Sequence, residues 1–251
     1  IDNPQIGMIT DGVFTSARIK SIDTAKMKAA LDAGRIVIVA GFQGRTEDFD
    51  ITTLGRGGSD TSAVALAAVL EAERCYIYTD VDGVYAADPR IVPGARRLEA
   101  ISYDEMLELA SAGAKVLYTR AVEFAKKYNV PIVVLSSLTE GPGTLVEEEV
   151  PEMEQVVVSG ITTNDKEAKI SLLGVPDKPG MAAKIFGQLA DSNVVVDMIV
   201  QSESPGGESN DISFTVEKGA LKQALDVVNR VKEEVGARDV VSDQKVVKLS
   251  A

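Results

Sequence analysis

The chain has 251 residues, of which 45% are hydrophobic and 25% are charged, a composition typical of soluble globular proteins with one large or two ordinary domains. Its 38 acidic and 26 basic residues give a formal net charge of -12, which argues against nucleic acid or an anionic membrane as the main partner. The absence of histidine excludes imidazole general bases, Ser/His/Asp triads and histidine-containing zinc sites.

The only cysteine is Cys75, so no internal disulfide can form, and its apolar neighbours are typical of a buried residue in a reducing cytoplasm. No apolar run approaches the length of about 18 residues that a membrane span requires. The N-terminus also lacks the layout of a signal peptide. We therefore expect a soluble, cytoplasmic protein. Because the chain opens with Ile1 rather than methionine, we also expect it to be a fragment.

The first part of the chain alternates between predicted strands and helices. Continuous β-branched runs predict buried strands from Ile36 (IVIVAG), over Cys75–Asp80 and over Val130–Ser137. Apolar residues three or four apart predict helices over Asp23–Ala33, Ser62–Glu73, Ser102–Ala112 and Lys115–Tyr128. This alternation predicts an α/β domain with a wound, mainly parallel sheet.

An acidic segment around Pro151 separates this domain from a second one. Its glutamates, Glu147, Glu148, Glu149, Glu152 and Glu154, predict a solvated connector. The elements predicted after it are the strand Ala168–Leu173, the helix Gly180–Ala190, the strands Val194–Gln201 and Asp211–Val216, the helix Ala220–Val235 and the strand Asp239–Ser242. This order is a ferredoxin-like βαββαβ unit. We predict domains over 1–153 and 154–251, in which the flanking runs VVVSGITT and KVVKLSA are strands of a further, incomplete unit.

The stretch LGRGGSD, from Leu54 to Asp60, precedes the second predicted helix. Free amides at a helix start and flexible glycines favour an anion. The sequence matches neither a Walker loop nor a GxGxxG fingerprint. An ordinary turn capped by Ser59 or Asp60 would also explain the pattern. Arg56 favours a binding site, because a guanidinium can hold a carboxylate through two parallel hydrogen bonds.

Two further loops carry cations in positions where a ligand could use them. YTDVDGVYAADPR, which ends at Arg90, follows a predicted strand at the place where open α/β sheets bind ligands, although its aspartates fit turns as well and match a calcium loop only weakly. GAKVLY places Lys115 at a predicted helix start, where a cation needs an anionic partner. Together with Arg56, these cations indicate a phosphate-bearing substrate.

The motifs GFQG, TTLGRGGSDTSA, YTDVDGVYAADPR, EMLELASAGAKVL and GPGTLV occur in an order and spacing that resemble the aspartate kinases of the amino-acid kinase family. The segments LGVPDKPGMAAKIF and VVVDMIVQ resemble the first of the paired ACT domains that follow the kinase domain in bacterial aspartokinases. The resemblance covers nearly the whole chain. It implies an αβα sandwich followed by an ACT domain.

The resemblance implies that ATP, bound with Mg²⁺, phosphorylates the β-carboxylate of L-aspartate to give 4-phospho-L-aspartate. It also implies that this reaction is the first step in the biosynthesis of lysine, threonine and methionine. It assigns aspartate binding to Arg56, Gly57, Gly58, Ser59 and Asp60, with Arg56 on a substrate carboxylate and Asp60 organising the cationic catalytic groups. It assigns nucleotide binding to Thr79, Asp80, Tyr85, Arg90, Lys115 and Val116. A carboxylate nucleophile is already ionised at neutral pH, which agrees with the absence of histidine.

In the second domain the turn DKPG offers backbone amides to a carboxylate, although a plain βα turn explains it too. By resemblance, a lysine or threonine effector site is lined by Asp177, Gly180, Ala182 and Gln201. The same resemblance implies feedback regulation and assembly through ACT domains as a homo-oligomer or an α2β2 complex.

The chain departs from the family pattern in two places that matter for activity. The N-terminal Lys-Phe-Gly-Gly segment, whose lysine stabilises the transferred phosphoryl group, and the Gly-Glu motif that helps hold aspartate are absent, as is a second ACT domain. We therefore expect this chain alone to be inactive or nearly so. A non-catalytic amino-acid-sensing subunit and a kinase acting on glutamate or acetylglutamate remain alternatives.

Overall fold

The computed structural model describes residues 7–114, 116–148, 158, 160–203 and 209–251. The chain divides into two compact units, one formed by Ile1–Thr162 with Ser250–Ala251 and the other by Thr163–Leu249. The domain boundary that the sequence predicts near residue 153, with most of its acidic connector, lies outside the described residues and stays a prediction.

The first unit contains two sheets. In one, the strand order is β2-β1-β3-β4, with β1 at Ile9–Thr10, β2 at Ile19–Ser21, β3 at Gln43–Arg45 and β4 at Ile51–Thr53. In the other, the order is β5-β7-β8-β6, with β5 at Cys75–Thr79, β6 at Ala100–Ser102, β7 at Ile132–Ser136 and β8 at Thr144–Glu147. Parallel pairs are β1/β3, β5/β7 and β6/β8, whereas β7/β8 is antiparallel. The predicted α/β class is confirmed, and both sheets are mixed.

Four helices of this unit are α1 at Ala25–Asp32, α2 at Gly58–Val69, α3 at Tyr103–Ala112 and α4 at Thr119–Tyr128. The start of α3 is fixed locally by a capping box, in which Ser102 Oγ accepts the Glu105 amide and the Glu105 carboxylate accepts the Ser102 amide. Helices and the β5 sheet share one core, which includes Val64, Ile77, Met106 and Val122. Burial of these apolar side chains supplies most of the stabilisation.

The second unit has the predicted βαββαβ order. After β9 at Thr162–Asn164, its elements are β10 at Glu167–Pro176, α5 at Met181–Asp191, β11 at Ile199–Glu203, β12 at Ser209–Glu217, α6 at Leu221–Val235 and β13 at Asp239–Asp243. The sheet order is β11-β12-β10-β13, with all three pairs antiparallel. Both helices pack on this sheet through a core that contains Ile185, Phe214 and Val228. The chain-terminal strand β14, Lys248–Ser250, pairs with β9.

The strand predicted from Ile36 is wrong, because residues 35–40 take no strand conformation. Ile36 is 94% exposed and Ile38 is 79% exposed. Strand formation depends on packing against neighbouring side chains, and these side chains stay exposed, so the composition of the run alone does not decide the fold.

Three elements begin four or five residues away from their predicted starts. Helix α2 begins at Gly58 rather than Ser62, so Ser59 and Asp60 lie in its first turn and Gly57 occupies the N-cap position. Helix α4 begins at Thr119 rather than Lys115. Strand β11 begins at Ile199 rather than Val194, although Asp197 and Met198 still exchange backbone hydrogen bonds with Thr215.

Candidate functional site

The loop before α2 has an unusual backbone that only glycine adopts easily. Gly55 has a φ of 79° and Gly57 a φ of 68°, both in the left-handed region. The turn closes through hydrogen bonds from the Gly58 amide to Gly55 O, at 3.0 Å, and from the Thr61 hydroxyl to Gly57 O, at 2.9 Å. Arg56, between the two left-handed glycines, is exposed. The loop therefore presents a guanidinium to solvent beside a helix start, where the first amides lack intrahelical acceptors.

Asp60 lies half-buried in the first turn of α2. Burial raises the pKa of its carboxyl group above the ordinary value, and the Ser59 hydroxyl, 3.4 Å from Oδ1, partly opposes this change. The Asp60 charge also acts with burial to raise the pKa of Cys75 to about 11, so that thiol stays protonated at neutral pH. An aspartate with such surroundings gains from a nearby cation, which is the kind of partner that the resemblance implies for it.

The GFQG motif packs directly against this loop. Phe42 takes a φ of 73°, which is uncommon for a bulky side chain. Its amide donates to Ser62 Oγ at 3.2 Å, and its carbonyl accepts the Leu54 amide at 2.9 Å. The same Ser62 hydroxyl donates to Ser59 O at 2.8 Å. Two motifs about ten residues apart are thereby joined by backbone and hydroxyl hydrogen bonds.

The segment that leads into α4 contacts the loop from another side. The Tyr118 ring lies so close to Gly57 that a Cβ there would overlap it. Arg120 donates from one terminal nitrogen to Leu54 O at 2.8 Å and from the other to Ala17 O at 2.7 Å. Sequence reasoning missed Arg120. The signal that could have found it is a cation in the first turn of a helix, where the dipole disfavours positive charge.

Residues assigned to the nucleotide by resemblance lie after β5. Thr79 ends that strand, and its hydroxyl donates to the Asp80 carboxylate at 3.2 Å. The Tyr85 hydroxyl donates to the Asp82 carboxylate at 3.0 Å, and this hydrogen bond raises the pKa of Tyr85. Val116 is half-buried against the core, whereas Lys115 lies outside the described residues.

Arg90 is held by Asp88 in a two-point ion pair. Its Nε lies 3.0 Å from Oδ1 of Asp88, and its terminal nitrogen lies 2.7 Å from Oδ2. This partner raises the pKa of Arg90, and the Asp80 charge raises it further. The side chain is 83% exposed, so the remaining guanidinium donors are accessible to a ligand such as a phosphate.

A cleft of about 370 Å³ lies at the carboxyl ends of the parallel strands β5 and β7. Open α/β sheets bind ligands at this edge. The Thr79 carbonyl accepts both the amide and the hydroxyl of Ser137 there, at 2.8 and 2.9 Å. The cleft is lined by Tyr78, Leu135, Ser136, Ser137, Leu138, Thr139, Glu140 and Gly141. The SSLTEG segment of this lining was not predicted, although a polar run directly after a buried strand is a usable signal.

The second unit has a cavity of about 210 Å³ between β10, the start of α5 and β11. All four residues assigned to an effector site, Asp177, Gly180, Ala182 and Gln201, line this cavity. Gly180 is the N-cap of α5 with a φ of 90°. Sequence reasoning missed Lys178 and Asn210, which supply further polar groups to the lining.

The described residues contain no candidate membrane span and no candidate metal cluster. No helix in this part of the chain is long and apolar enough to span a membrane. Within the same residues, no group of three or more His, Cys, Asp or Glu side chains is placed to hold a metal ion.

The fold and these loops agree with comparisons to known proteins. Residues 1–136 match the amino acid kinase family, and residues 170–231 match an ACT domain. The chain therefore belongs to the amino acid kinase family and carries an ACT domain.

The relatives it resembles are aspartate kinases. The aspartate kinase of Pseudomonas putida is 54% identical over 247 residues, which cover 98% of this chain and 60% of that protein. The aspartokinase of Mycolicibacterium smegmatis is 47% identical over 251 residues, covering 98% of this chain and 59% of that protein. The chain thus spans about 60% of the length of these curated relatives. The predicted resemblance to the aspartate kinases is confirmed.

Solved structures give the same result. E. coli aspartokinase III in complex with lysine and aspartate matches with a TM-score of 0.74 at 29% identity, over 97% of this chain and 54% of that chain. The same enzyme in complex with aspartate and ADP matches with a TM-score of 0.73 at 28% identity, over 99% of this chain and 56% of that chain.

Proposed function

We propose that this chain supplies the aspartate loop, nucleotide loops and first ACT domain of an aspartate kinase, which transfers the γ-phosphoryl group of ATP to the β-carboxylate of L-aspartate. The observation that carries the proposal is the meeting of three separate segments at the start of α2. The GFQG segment and the Tyr118–Arg120 segment each contact the LGRGGSD loop there. An ordinary turn does not need this many supports, whereas a substrate loop does.

Arg56 and the first amides of α2 are suited to the carboxylates of aspartate. The exposed guanidinium can donate two parallel hydrogen bonds to one carboxylate. Asp60, in the first turn of α2, offers its carboxyl group to the cationic groups that accompany a phosphoryl donor. Because the β-carboxylate is already ionised at pH 7, the chain has to align two anions and offset their charge rather than remove a proton.

MgATP occupies the edge of the β5 and β7 strands in this proposal. The cleft after these strands is next to Thr79, and Arg90 supplies exposed donors for phosphate oxygens. Asp80, Tyr85, Lys115 and Val116 complete the assigned nucleotide residues. Mg²⁺ enters with the nucleotide and offsets the charge of its phosphates.

The ACT domain makes the proposed enzyme subject to feedback control. The polar cavity lined by Asp177, Gly180 and Gln201 is large enough for a free amino acid such as lysine or threonine. We further propose a cytoplasmic enzyme that assembles through ACT domains as a homo-oligomer or an α2β2 complex. A role in the biosynthesis of lysine, threonine and methionine follows from the reaction.

The decisive test uses this sequence in a chain of the relatives' full length. ADP release and acyl-phosphate formation, trapped with hydroxylamine, would be measured with ATP and L-aspartate, L-glutamate or N-acetylglutamate. We expect turnover with aspartate and little or none with the other two. No turnover with aspartate would contradict the proposal and favour a non-catalytic sensing subunit, and turnover with glutamate or acetylglutamate would identify a different amino-acid kinase.

The same assay applied to the 251-residue chain checks a second expectation. Since no counterpart of the family's Lys-Phe-Gly-Gly segment stands in this sequence, we expect the chain alone to be inactive or nearly so. A rate like that of the full-length form would show that the other cations suffice.

A further inference from the structure

Arg120 connects three parts of the first unit that are distant in sequence. It lies in the first turn of α4, and its two terminal nitrogens donate to Leu54 O and to Ala17 O at 2.8 and 2.7 Å. Both acceptors belong to loops rather than to helices or strands. A planar guanidinium can make two such bonds at once because its donors form a rigid fork.

The position is electrostatically unfavourable for a cation. Burial lowers the pKa of Arg120, and nearby Arg18 lowers it further, whereas the carboxylates of Asp11 and Glu123 act in the opposite direction. The start of a helix adds a partial positive charge. Hydrogen bonds to the two carbonyl oxygens offset the cost of placing a charge here. The Arg120 guanidinium therefore stabilises the fold only while both loops stay in place.

The acceptor carbonyls lie at the base of the proposed aspartate loop. Leu54 is 1% exposed and Ala17 is fully buried, so neither loop can shift without disturbing the core. The Ala17 amide in turn donates to Thr53 O at 2.9 Å, next to Leu54. From Leu54 the backbone passes through the left-handed Gly55 directly to Arg56. Fixing the Leu54 carbonyl therefore fixes the direction in which the next two residues leave the core.

The segment that carries Arg120 also contacts Gly57, the residue that follows Arg56. The Tyr118 ring lies against Gly57 and leaves no space for a Cβ there. Arg56 thus stands between two points that the Tyr118–Arg120 segment holds, the Leu54 carbonyl and the Gly57 backbone. Both residues that flank Arg56 are glycines, so its own loop does little to fix the direction of the exposed guanidinium.

We propose that Arg120 is a positioning residue for aspartate recognition, which acts by holding the Leu54 carbonyl so that Arg56 meets a substrate carboxylate. This inference rests on the proposed function of the LGRGGSD loop. It makes Arg120 a determinant of aspartate affinity without contact with aspartate. It leaves nucleotide binding at β5 and β7 largely independent of Arg120.

The test compares Arg120→Lys and Arg120→Met with the unchanged protein, in a chain of the relatives' full length. Lysine keeps the charge but can donate to only one of two separated carbonyls well, and methionine can donate to neither. We expect the KM for aspartate to rise about tenfold in Arg120→Lys and further in Arg120→Met. The KM for ATP should change by less than about twofold, and kcat less than the aspartate KM.

A buried variant on the same helix serves as the control for stability. Val122 is fully buried in α4, so Val122→Ala should lower the melting temperature. It should leave the aspartate KM unchanged, because Val122 faces the core and holds no loop carbonyl. Arg120→Lys retains the length and charge of the side chain, so we expect it to fold. It therefore tests the positioning role even if Arg120→Met does not fold.

Each outcome has one meaning. If the unchanged protein phosphorylates aspartate but Arg120→Lys keeps its aspartate KM, the positioning role is wrong and the proposed function stands. If Val122→Ala raises the aspartate KM as much as Arg120→Lys does, the effect is one of stability and the inference also fails. If the unchanged protein has no activity with aspartate, the proposed function fails and the inference fails with it.

Discussion

At the scale of single residues, the proposed site depends on three arginines in a protein of net charge -12. Arg56 is exposed and free of constraint from its own loop, Arg90 is tied to Asp88, and Arg120 is committed to two carbonyls. The three arginines therefore have different tasks, although all carry the same charge. Exposure and partners, rather than residue type, separate a binding arginine from a structural one.

Replacing Arg56 tests the binding task directly. We expect Arg56→Ala to raise the KM for aspartate by about 10- to 100-fold, since a hydrogen-bonded charge contact to a carboxylate is lost. The KM for ATP should stay within about twofold, because the cleft after β5 and β7 is lined by other residues. Initial-rate kinetics on the full-length form provide the measurement.

The exposed Arg74 is a suitable control for the loss of one positive charge. Arg74→Ala should leave both KM values unchanged. Equal effects of the two substitutions would mean that net charge, and not a specific contact by Arg56, attracts the anionic substrate.

At the scale of elements, the start of α2 depends on one glycine. Gly57 combines a left-handed φ of 68° with a neighbour, the Tyr118 ring, that leaves no room for a side chain. Loop and helix can meet at this angle only if that position carries no Cβ. The helix start and the Tyr118 segment are thus coupled by close packing.

Gly34 offers a matched comparison, since it has a φ of 69° and open space around its Cβ position. Gly34→Ala should cost about 1 kcal/mol from backbone strain alone. Gly57→Ala should cost roughly 1–3 kcal/mol more, because the new methyl group overlaps Tyr118. The urea-induced unfolding transition of the first unit, measured for both variants, gives the difference in unfolding free energy.

A double variant separates steric overlap from strain. Adding Tyr118→Ala to Gly57→Ala should restore part of the lost stability, because the ring that the methyl group meets is gone. If Gly57→Ala is no worse than Gly34→Ala, the close approach of Tyr118 is not a determinant of this helix start.

At the scale of the whole molecule, we propose that catalysis and regulation belong to two units with separate cores. The first carries the substrate loops, and the second carries a polar cavity at the start of α5. ACT effector control requires that a ligand in the second unit changes the reaction in the first, which is a coupling between two sites.

Gln201 allows that coupling to be tested, because it lines the cavity and lies outside the proposed catalytic machinery. In the full-length form we expect lysine, threonine or both together to inhibit, and Gln201→Ala to raise the half-inhibiting concentration about tenfold with the uninhibited rate unchanged. Gln188, which donates to Glu234 on α6, is the control, and Gln188→Ala should leave inhibition as it was. The absence of both inhibition and binding heat with either amino acid would count against an effector site.

Several features could be predicted from the sequence because their causes are local. Helix α6 carries apolar residues at helical spacing, and its observed span of Leu221–Val235 agrees closely with the prediction. The strands β5 and β12 form within alternating or continuous apolar runs, at the positions that these runs predict. The residues assigned to an effector site by resemblance line one cavity, and Asp177, Gly180 and Ala182 do so because a βα turn brings strand end and helix start together.

Other features could not be predicted because their causes are distant in sequence. The run from Ile36 has the composition of a strand, yet its isoleucines stay exposed, because composition does not supply the side chains that would cover them. The early start of α2 places Gly57 against the ring of Tyr118, some sixty residues later along the chain. Arg120 was missed because its acceptors, Leu54 and Ala17, lie far back along the chain.

The amino-acid sequence by itself determined the α/β class, the ACT-type βαββαβ order and the resemblance to aspartate kinases, since periodicity and motif spacing are properties of short segments. Only the tertiary structure decided how the motifs meet. Phe42, Gly57 and Arg120 converge on the loop that carries Arg56 through hydrogen bonds and close packing. Such contacts depend on three-dimensional proximity, which local sequence patterns do not encode.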